Sequence, residues 1–380
     1  MRVTFISNFM SHHQQPFCDA MAAEAGVDFT FVAMKPLSQN RRNMGWEEAA
    51  ALPYEIRSYE SEEARGRALD AVRGSDTVIF GYDAADEFFK TFMKETRGIA
   101  IRCSERLYKN GRWRAISPRG LWLRFKTYGK YPKKRMYLLC SSAYAAGDYA
   151  LLGSYRGRCY RWGYFPPFAE QDIQKVISEK EPNSILWAGR FLSLKHPHTV
   201  LVLAQYLKEQ GIPFHVNVLG DGPLRESLEL DIARLGLGDC VHLRGSLSPE
   251  ETRAYMQRSQ IFLATSGYGE GWGAVVNEAM NSGCVVVGSD AMGAVPFLLQ
   301  DGENGIVYKY GAFDTVFERV AALMGNDEAR NAMGVRAYKT IATEWNAQVA
   351  ARRLTKLLQA LQNGEKIEFD GGPCSVAPRL

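Results

Sequence analysis

The chain has no Cys-x-x-Cys pair, and its seven cysteines, at 18, 103, 140, 159, 240, 284 and 374, are scattered and odd in number. That pattern argues against a disulfide framework or a cysteine zinc site and implies reduced thiols in a cytosolic protein. No uninterrupted apolar run approaches the ~20 residues of a membrane span. MRVTFISNFM is too short for a signal peptide and reads as a first strand. Neither sign of charge dominates: 46 Lys and Arg stand against 42 Asp and Glu, a net +4. The expectation is a soluble or peripheral protein whose 380 residues divide into two domains, each large enough for its own core.

What is present centres on Glu270 and Glu278, in TSGYGEGWGAVVNEAMNSG. Residues 260–266, QIFLATS, read as a short buried strand. Gly267, Gly269, Gly271 and Gly273 then make a tight loop, and a helix through AVVNEAM stops at Gly283. Glu270 falls in the loop and Glu278 in the second turn, on the face that looks back past Ala274. Free N–H groups near Gly273, Ala274 and Val275 favour an anion. Carboxylates are poor phosphate ligands, so the two glutamates are expected to accept hydrogen bonds from hydroxyls flanking a phosphate. A sugar nucleotide has that layout. A rival reading takes Gly269 to Ala274 as the dinucleotide fingerprint G-x-G-x-x-A, with Asp290 as ribose ligand. Against it, the stretch lies late in the chain and carries a carboxylate where a pyrophosphate would rest. A plain packing turn explains the glycines but not the paired glutamates.

A second constellation lies in SILWAGRFLSLKHP, residues 184–197. It reads as a buried strand ending at Gly189, with Arg190 and Lys195 on the loop that follows. Two cations so placed suit a diphosphate and the charge that grows on it as it leaves. Here the chain closely resembles the retaining, nucleotide-sugar-dependent glycosyltransferases of family 4, which have the GT-B fold. Their E-x7-E motif matches Glu270 and Glu278, and their Gly-Arg…Lys element matches Gly189, Arg190 and Lys195. HVNVLGDGPL, VHLRGSLSPEE, DGENGIVYKYG and EWNAQVAARRLTKLL match further segments in order, so that the resemblance covers most of 184–360.

The resemblance implies two Rossmann-like α/β domains whose parallel sheets face each other across a cleft. It implies that Arg190 and Lys195 hold the donor diphosphate, Glu278 the ribose hydroxyls and Glu270 hydroxyls of the transferred sugar. Gly271, Trp272, Gly273 and Ala274 would meet the sugar and β-phosphate through their backbone. Arg244 and Gly245 would border the base. The family needs no catalytic metal or cofactor beyond the nucleotide-sugar co-substrate, a UDP-sugar by family habit. The chain has no Asp-x-Asp, so the metal-binding signature of the other large glycosyltransferase fold is missing. The lone His196-x-His198 reads as structural or solvent-facing.

The first half alternates strand and helix candidates as well. Strands are expected at 3–8, 28–34, 76–82, 98–104 and 136–142, with a helix over 143–153. The expected division is an acceptor-binding domain over 1–165, a linker over 166–183 and a nucleotide-sugar domain over 184–344. Helix 345–362 would cross back to the first domain, and a mobile tail would follow over 363–380. His12 and His13, after the first strand, and Glu105 and Arg106, after the fourth, are candidates to meet acceptor or sugar. Many family members carry a His near the latter pair; this chain offers Glu105 and Arg106.

Over 97–135 thirteen Lys and Arg face one acid, Glu105, with Trp113, Trp122, Phe125 and other apolar residues interleaved. A basic aromatic stretch of this kind, notably 106–135, suits an anionic membrane surface. A solvated basic face would explain the charge equally well, and no nucleic-acid recognition motif accompanies it. The segments around ERLYKNGRWRAISPRG and AYAAGDYALLG also resemble transferases that build bacterial surface polysaccharides. The expected protein is a retaining, metal-independent hexosyltransferase passing a sugar to a glycan or lipid-linked oligosaccharide. It would lie in the cytoplasm, peripheral at the inner membrane face. The alternatives are a nucleotide-sugar epimerase of the same fold and a non-catalytic sugar-nucleotide or membrane-binding protein, with NAD-dependent oxidoreduction more distant.

Overall fold

The structure is a computed structural model that describes residues 1–37, 50–81, 86–109, 111, 117–120, 122 and 135–380. It divides into two compact units. The first comprises Met1–Pro167 with Asn346–Leu380, the second Phe168–Trp345.

The first unit is built on β1 (Arg2–Ser7), β2 (Asp28–Ala33), β3 (Glu55–Arg57), β4 (Thr77–Phe80), β5 (Ile99–Ser104), β6 (Met136–Cys140) and β7 (Cys159–Arg161). All pairings are parallel, in the order β3-β2-β1-β4-β5-β6-β7. Central strands such as β4 are buried along their whole length because helices cover both faces, which explains runs like TVIF rather than an alternating pattern. The helices are α1 (Gln15–Ala22), α2 (Glu62–Gly74), α3 (Asp86–Glu95) and α4 (Ala145–Leu151). β3 and β7, three residues each and only partly buried, carry too little apolar signal to be anticipated from sequence.

The second unit runs α5 (Ile173–Ser178), β8 (Ser184–Ala188), α6 (Thr199–Glu209), β9 (His215–Leu219), α7 (Arg225–Arg234), β10 (Val241–Gly245) and α8 (Pro249–Arg258). It continues β11 (Ile261–Ala264), α9 (Val275–Asn281), β12 (Val285–Ser289), α10 (Val295–Leu298), β13 (Gly305–Tyr308), α11 (Phe317–Met324) and α12 (Asp327–Thr343). Its six strands are again parallel, in the order β10-β9-β8-β11-β12-β13. The strand order reverses between β8 and β11, and in the first unit between β1 and β4. In open α/β sheets, ligands bind at such switch points, outside the carboxyl ends of the strands. Each unit is thus the Rossmann-like α/β unit expected of a GT-B protein.

Two boundaries differ from the sequence reading, the linker and the tail, while the closing helix lies in the first unit as expected. Residues 168–183 are not a free linker: α5, capped by the Asp172 side chain, belongs to the second unit, and Lys180 is buried there. The closing helix is α13 (Ala347–Asn363), capped by Asn346 and packed on α1 within the first unit. The tail beyond it is not loose. Cys374, Ser375 and Ala377 are buried, Arg161 N donates to the Ser375 carbonyl at 2.7 Å, and Tyr160 bridges Val376 beside β7. The glycines and proline there make turns against an edge strand that would otherwise expose unpaired backbone.

Candidate active site

The loops after β8 and β11 are sewn together at the switch point of the second sheet. Trp187 Nε1 donates to Thr265 Oγ1 at 2.8 Å, and Thr265 Oγ1 donates to the Lys195 carbonyl at 2.6 Å. Gly267 N donates to the Leu194 carbonyl at 3.0 Å. A single 3-10 turn, Ser193–Lys195, then presents the Lys195 ammonium to the Glu270 carboxylate, with which it forms a partly buried ion pair. Glu270 is fixed by a tight turn in which its N–H donates to the Gly267 carbonyl at 3.0 Å.

Arg190 leaves the same β8 loop from an exposed position, and among the described residues its guanidinium has no partner. The loop is held by its neighbour: Phe191 N donates to the Asp221 carbonyl at 2.9 Å. Gly220 lies so close that a Cβ there would sit 1.9 Å from the Gly189 carbonyl oxygen, at φ +130°. Only glycine lets the two strand ends approach in this way. On the far side of β9, Arg244 Nε donates to the buried Asn217 Oδ1 at 2.8 Å, and the Gly245 carbonyl accepts from Gly220 N at 2.7 Å.

The glycine-rich loop ends in α9, as the sequence pattern requires. Trp272 turns its side chain into the core, where Nε1 donates to Asn277 Oδ1 at 2.9 Å and the ring lies against Phe297 and Trp345. What Trp272 can offer the loop is therefore backbone. Gly273 has φ +92°, and a Cβ there would stand 2.5 Å from the Met292 methyl and 3.5 Å from Glu270 Cγ. Glu278 lies in the first turn of α9 rather than the second, because the helix starts one residue later than expected, at Val275. Burial pushes its carboxyl up to about 7, against a smaller pull from Arg253. Its carboxyl has no hydrogen-bond partner among the described residues, so the site holds one ion-paired glutamate and one that is poised to accept donors.

Residues that sequence reasoning passed over support this geometry. Thr265 links the two loops, and Asn217 orients Arg244. Tyr310 reaches His196 Nε2 with its hydroxyl at 3.0 Å. Lys180, 7% exposed, donates to the carbonyls of Met256, Gln257, Ser259 and Ser282 at 3.2, 3.0, 2.7 and 2.9 Å. It thereby ties the C-terminal ends of α8 and α9 together. A lone Lys in a polar stretch gave no signal of this. His198, in contrast to His196, binds Ser227 Oγ at 3.1 Å away from the ion pair. Asp290 spends a carboxylate oxygen on Tyr310 N at 2.8 Å, a loop-capping role rather than the ribose contact of the dinucleotide reading.

In the first unit His13 and Glu105 are brought together through Tyr164. The His12 and His13 rings lie 3.8 Å apart, and His13 is parallel to Tyr164 at 6.4 Å. Tyr164 Oη donates to Glu105 Oε1 at 2.6 Å, and Lys109 Nζ donates to Oε2 at 2.7 Å. Arg106 does not join them. Its guanidinium is buried beside Asp148, 3.8 Å away, and over the Tyr144 ring, so it serves the core of the unit. Most of the basic stretch 106–135 lies outside the described residues. Among the described residues no three His, Cys, Asp or Glu side chains converge as for a metal ion, and no helix is long and apolar enough to cross a membrane.

Residues 168–340 match the family model of glycosyl transferases group 1. A protein of Escherichia coli (strain K12) assigned to colanic acid biosynthesis as glycosyltransferase WcaL is 31% identical over 192 residues, 49% of this chain and 47% of its own. The amylovoran biosynthesis glycosyltransferase AmsK of Erwinia amylovora is 29% identical over 186 residues, 48% of this chain and 46% of its own. The chain thus spans about half the length of these relatives. Anabaena Alr3699/HepE, solved in complex with UDP and glucose, superposes with a TM-score of 0.65 at 13% identity, covering 95% of this chain and 100% of that one. Sucrose-phosphate synthase from Thermosynechococcus elongatus gives 0.63 at 16%, covering 96% and 100%. These likenesses show the GT-B fold over 95–96% of the chain. The match to glycosyl transferases group 1 falls within the second unit.

Proposed function

We propose that the protein is a retaining glycosyltransferase that moves a sugar from a nucleotide donor, a UDP-sugar, to a hydroxyl of a glycan or lipid-linked oligosaccharide without a catalytic metal. The observation that carries this reading is the grouping of Arg190, the Lys195–Glu270 pair and the unpartnered Glu278 around one switch point. Arg190 and Lys195 would hold the diphosphate and offset the charge that builds on it as the glycosidic bond breaks. Glu270, held in place by Lys195, would accept from hydroxyls of the transferred sugar. Glu278 would accept from the ribose, whose hydroxyls supply the hydrogen bonds its carboxylate lacks. Arg244 and Gly245 would border the base. The backbone at 271–274 would enclose the sugar and β-phosphate.

His12, His13 and Glu105 stand as the candidates for acceptor contact in the first unit. The relatives named for colanic acid and amylovoran biosynthesis support a glycan acceptor. The basic, Trp-containing stretch 106–135 supports a lipid-linked one at the anionic inner face of a membrane. The test of the donor site is thermal unfolding with and without UDP. The wild type should gain stability with UDP, and Glu278→Ala or Arg190→Ala should lose that gain while keeping its own cooperative transition. UDP without effect on the wild type would overturn the reading.

A further inference from the structure

Tyr310 stands on the loop after β13 and touches the chain neighbours of both partners in the Lys195–Glu270 pair. On one side its hydroxyl meets His196 Nε2 at 3.0 Å, and His196 directly follows Lys195. On the other its ring lies against Gly267, where a Cβ would come within 2.9 Å of it. It also meets the Tyr268 ring edge to face, 5.3 Å between centroids. Gly267 and Tyr268 belong to the turn in which Glu270 N donates to the Gly267 carbonyl. The Tyr310 backbone is itself anchored, its N–H donating to Asp290 Oδ1 at 2.8 Å. His196 holds φ +50° and ψ +52°, a left-handed conformation uncommon for a residue with a Cβ. Pro197 disfavours right-handed helical geometry at the residue before it, so the 3-10 turn ends at Lys195. Strain of this kind persists where the surroundings over-determine it, and the bond to Tyr310 supplies that constraint.

We infer that Tyr310 and His196 are positioning residues for Lys195. Their bond fixes the backbone just beyond the lysine, and so the direction in which its ammonium meets the β-phosphate of the donor. The inference rests on the donor site proposed above. A lysine ammonium rides on a flexible four-carbon stem, so its aim is set by where the backbone launches it. Two clamps bracket that backbone. Thr265 Oγ1 donates to the Lys195 carbonyl at 2.6 Å from the β11 side, and the His196–Tyr310 clasp holds the next residue from the β13 side. Without the clasp the turn is released to relax toward unstrained geometries, and the ammonium loses part of its preorganised aim at the diphosphate. Tyr310 is 39% exposed, so removing its hydroxyl leaves no deeply buried group unpaired.

The test is calorimetric binding of UDP and of UMP to the wild type, Tyr310→Phe, His196→Gly, Lys195→Ala and the double variant Lys195→Ala with Tyr310→Phe. The ratio of the two affinities isolates the β-phosphate, the group Lys195 would hold. Glycine takes φ +50° without strain, so His196→Gly removes the clasp without unfolding the turn. Tyr310→Phe and His196→Gly should each lower the preference for UDP about threefold to tenfold, with the affinity for UMP unchanged. In the Lys195→Ala background Tyr310→Phe should change nothing further, because the clasp acts through the lysine. A preference for UDP that survives either single substitution overturns the inference, and so does a further loss in the Lys195→Ala background. Equal losses of UMP and UDP affinity would mark a general structural role and overturn it as well. A wild type with no preference for UDP, or a Lys195→Ala variant that keeps the full preference, would instead overturn the donor assignment of Lys195 on which the inference rests.

Discussion

The Lys195 ammonium donates to the Glu270 carboxylate across two loops that leave neighbouring strands of the second sheet. The pair is partly buried, and Thr265 and Gly267 hold both loops in place. With both side chains less than a fifth exposed, the pair's attraction is largely offset by the cost of desolvating the two charges. Its weight should fall on the reaction. Lys195→Ala is expected to lower kcat/KM about a hundredfold or more, the scale of losing one charge-stabilising donor, and to lower the melting temperature, because Glu270 is left largely buried without its cation. Steady-state kinetics beside a thermal melt checks both halves.

Glu278 should make donor binding depend on pH. Burial holds its carboxyl up at about 7, and the ionised form accepts more strongly from two ribose hydroxyls than the neutral form, one of whose oxygens carries a proton. Donor affinity should therefore fall as pH drops from 8 to 6, by up to ~10-fold per unit below the titration point. In Glu278→Gln the dependence should flatten.

The same group has an opposite effect on the free protein. Its folded value lies above the ordinary 4.5, so its contribution to stability is full below that value and is lost as pH rises through about 7. Glu278→Gln should therefore raise the melting temperature at pH 8 and leave it unchanged at pH 4.5, with the difference worth at most ~3 kcal/mol. Equal shifts at both pH values would contradict the burial of this carboxylate.

Lys180 is the interaction on which the junction of α8 and α9 depends. Replacing it by Met keeps the length of the side chain but strands four carbonyls that now share one ammonium. Lys180→Met should cost about 2–4 kcal/mol in denaturant unfolding. Because α9 carries Glu278, the surviving folded protein should also bind donor more weakly.

How much of this could be read from the sequence depended on how local the cause was. The Glu270 loop, the start of α9 and the β8 loop with Arg190 and Lys195 were legible because glycine spacing and apolar runs act over a few residues. The parallel alternation was legible in both halves for the same reason. β3 and β7 escaped because three half-buried residues leave no periodicity. The ordered tail escaped because its packing partner, Arg161, lies far away in the chain, and composition alone made the segment look loose. Arg106 was misplaced because nothing nearby in sequence announces Asp148 as its neighbour. The roles of Thr265, Tyr310 and Lys180 are likewise long-range, and only the folded chain brings their partners within reach.

The most direct measurement is nucleotide release from a panel of nucleotide sugars, with and without EDTA, for wild type and Arg190→Ala. Slow release from a UDP-sugar that EDTA does not alter and that Arg190→Ala abolishes is the expected result. Release from the variant at the wild-type rate, or release that requires a divalent metal, would contradict the assignment of the diphosphate to Arg190 and Lys195.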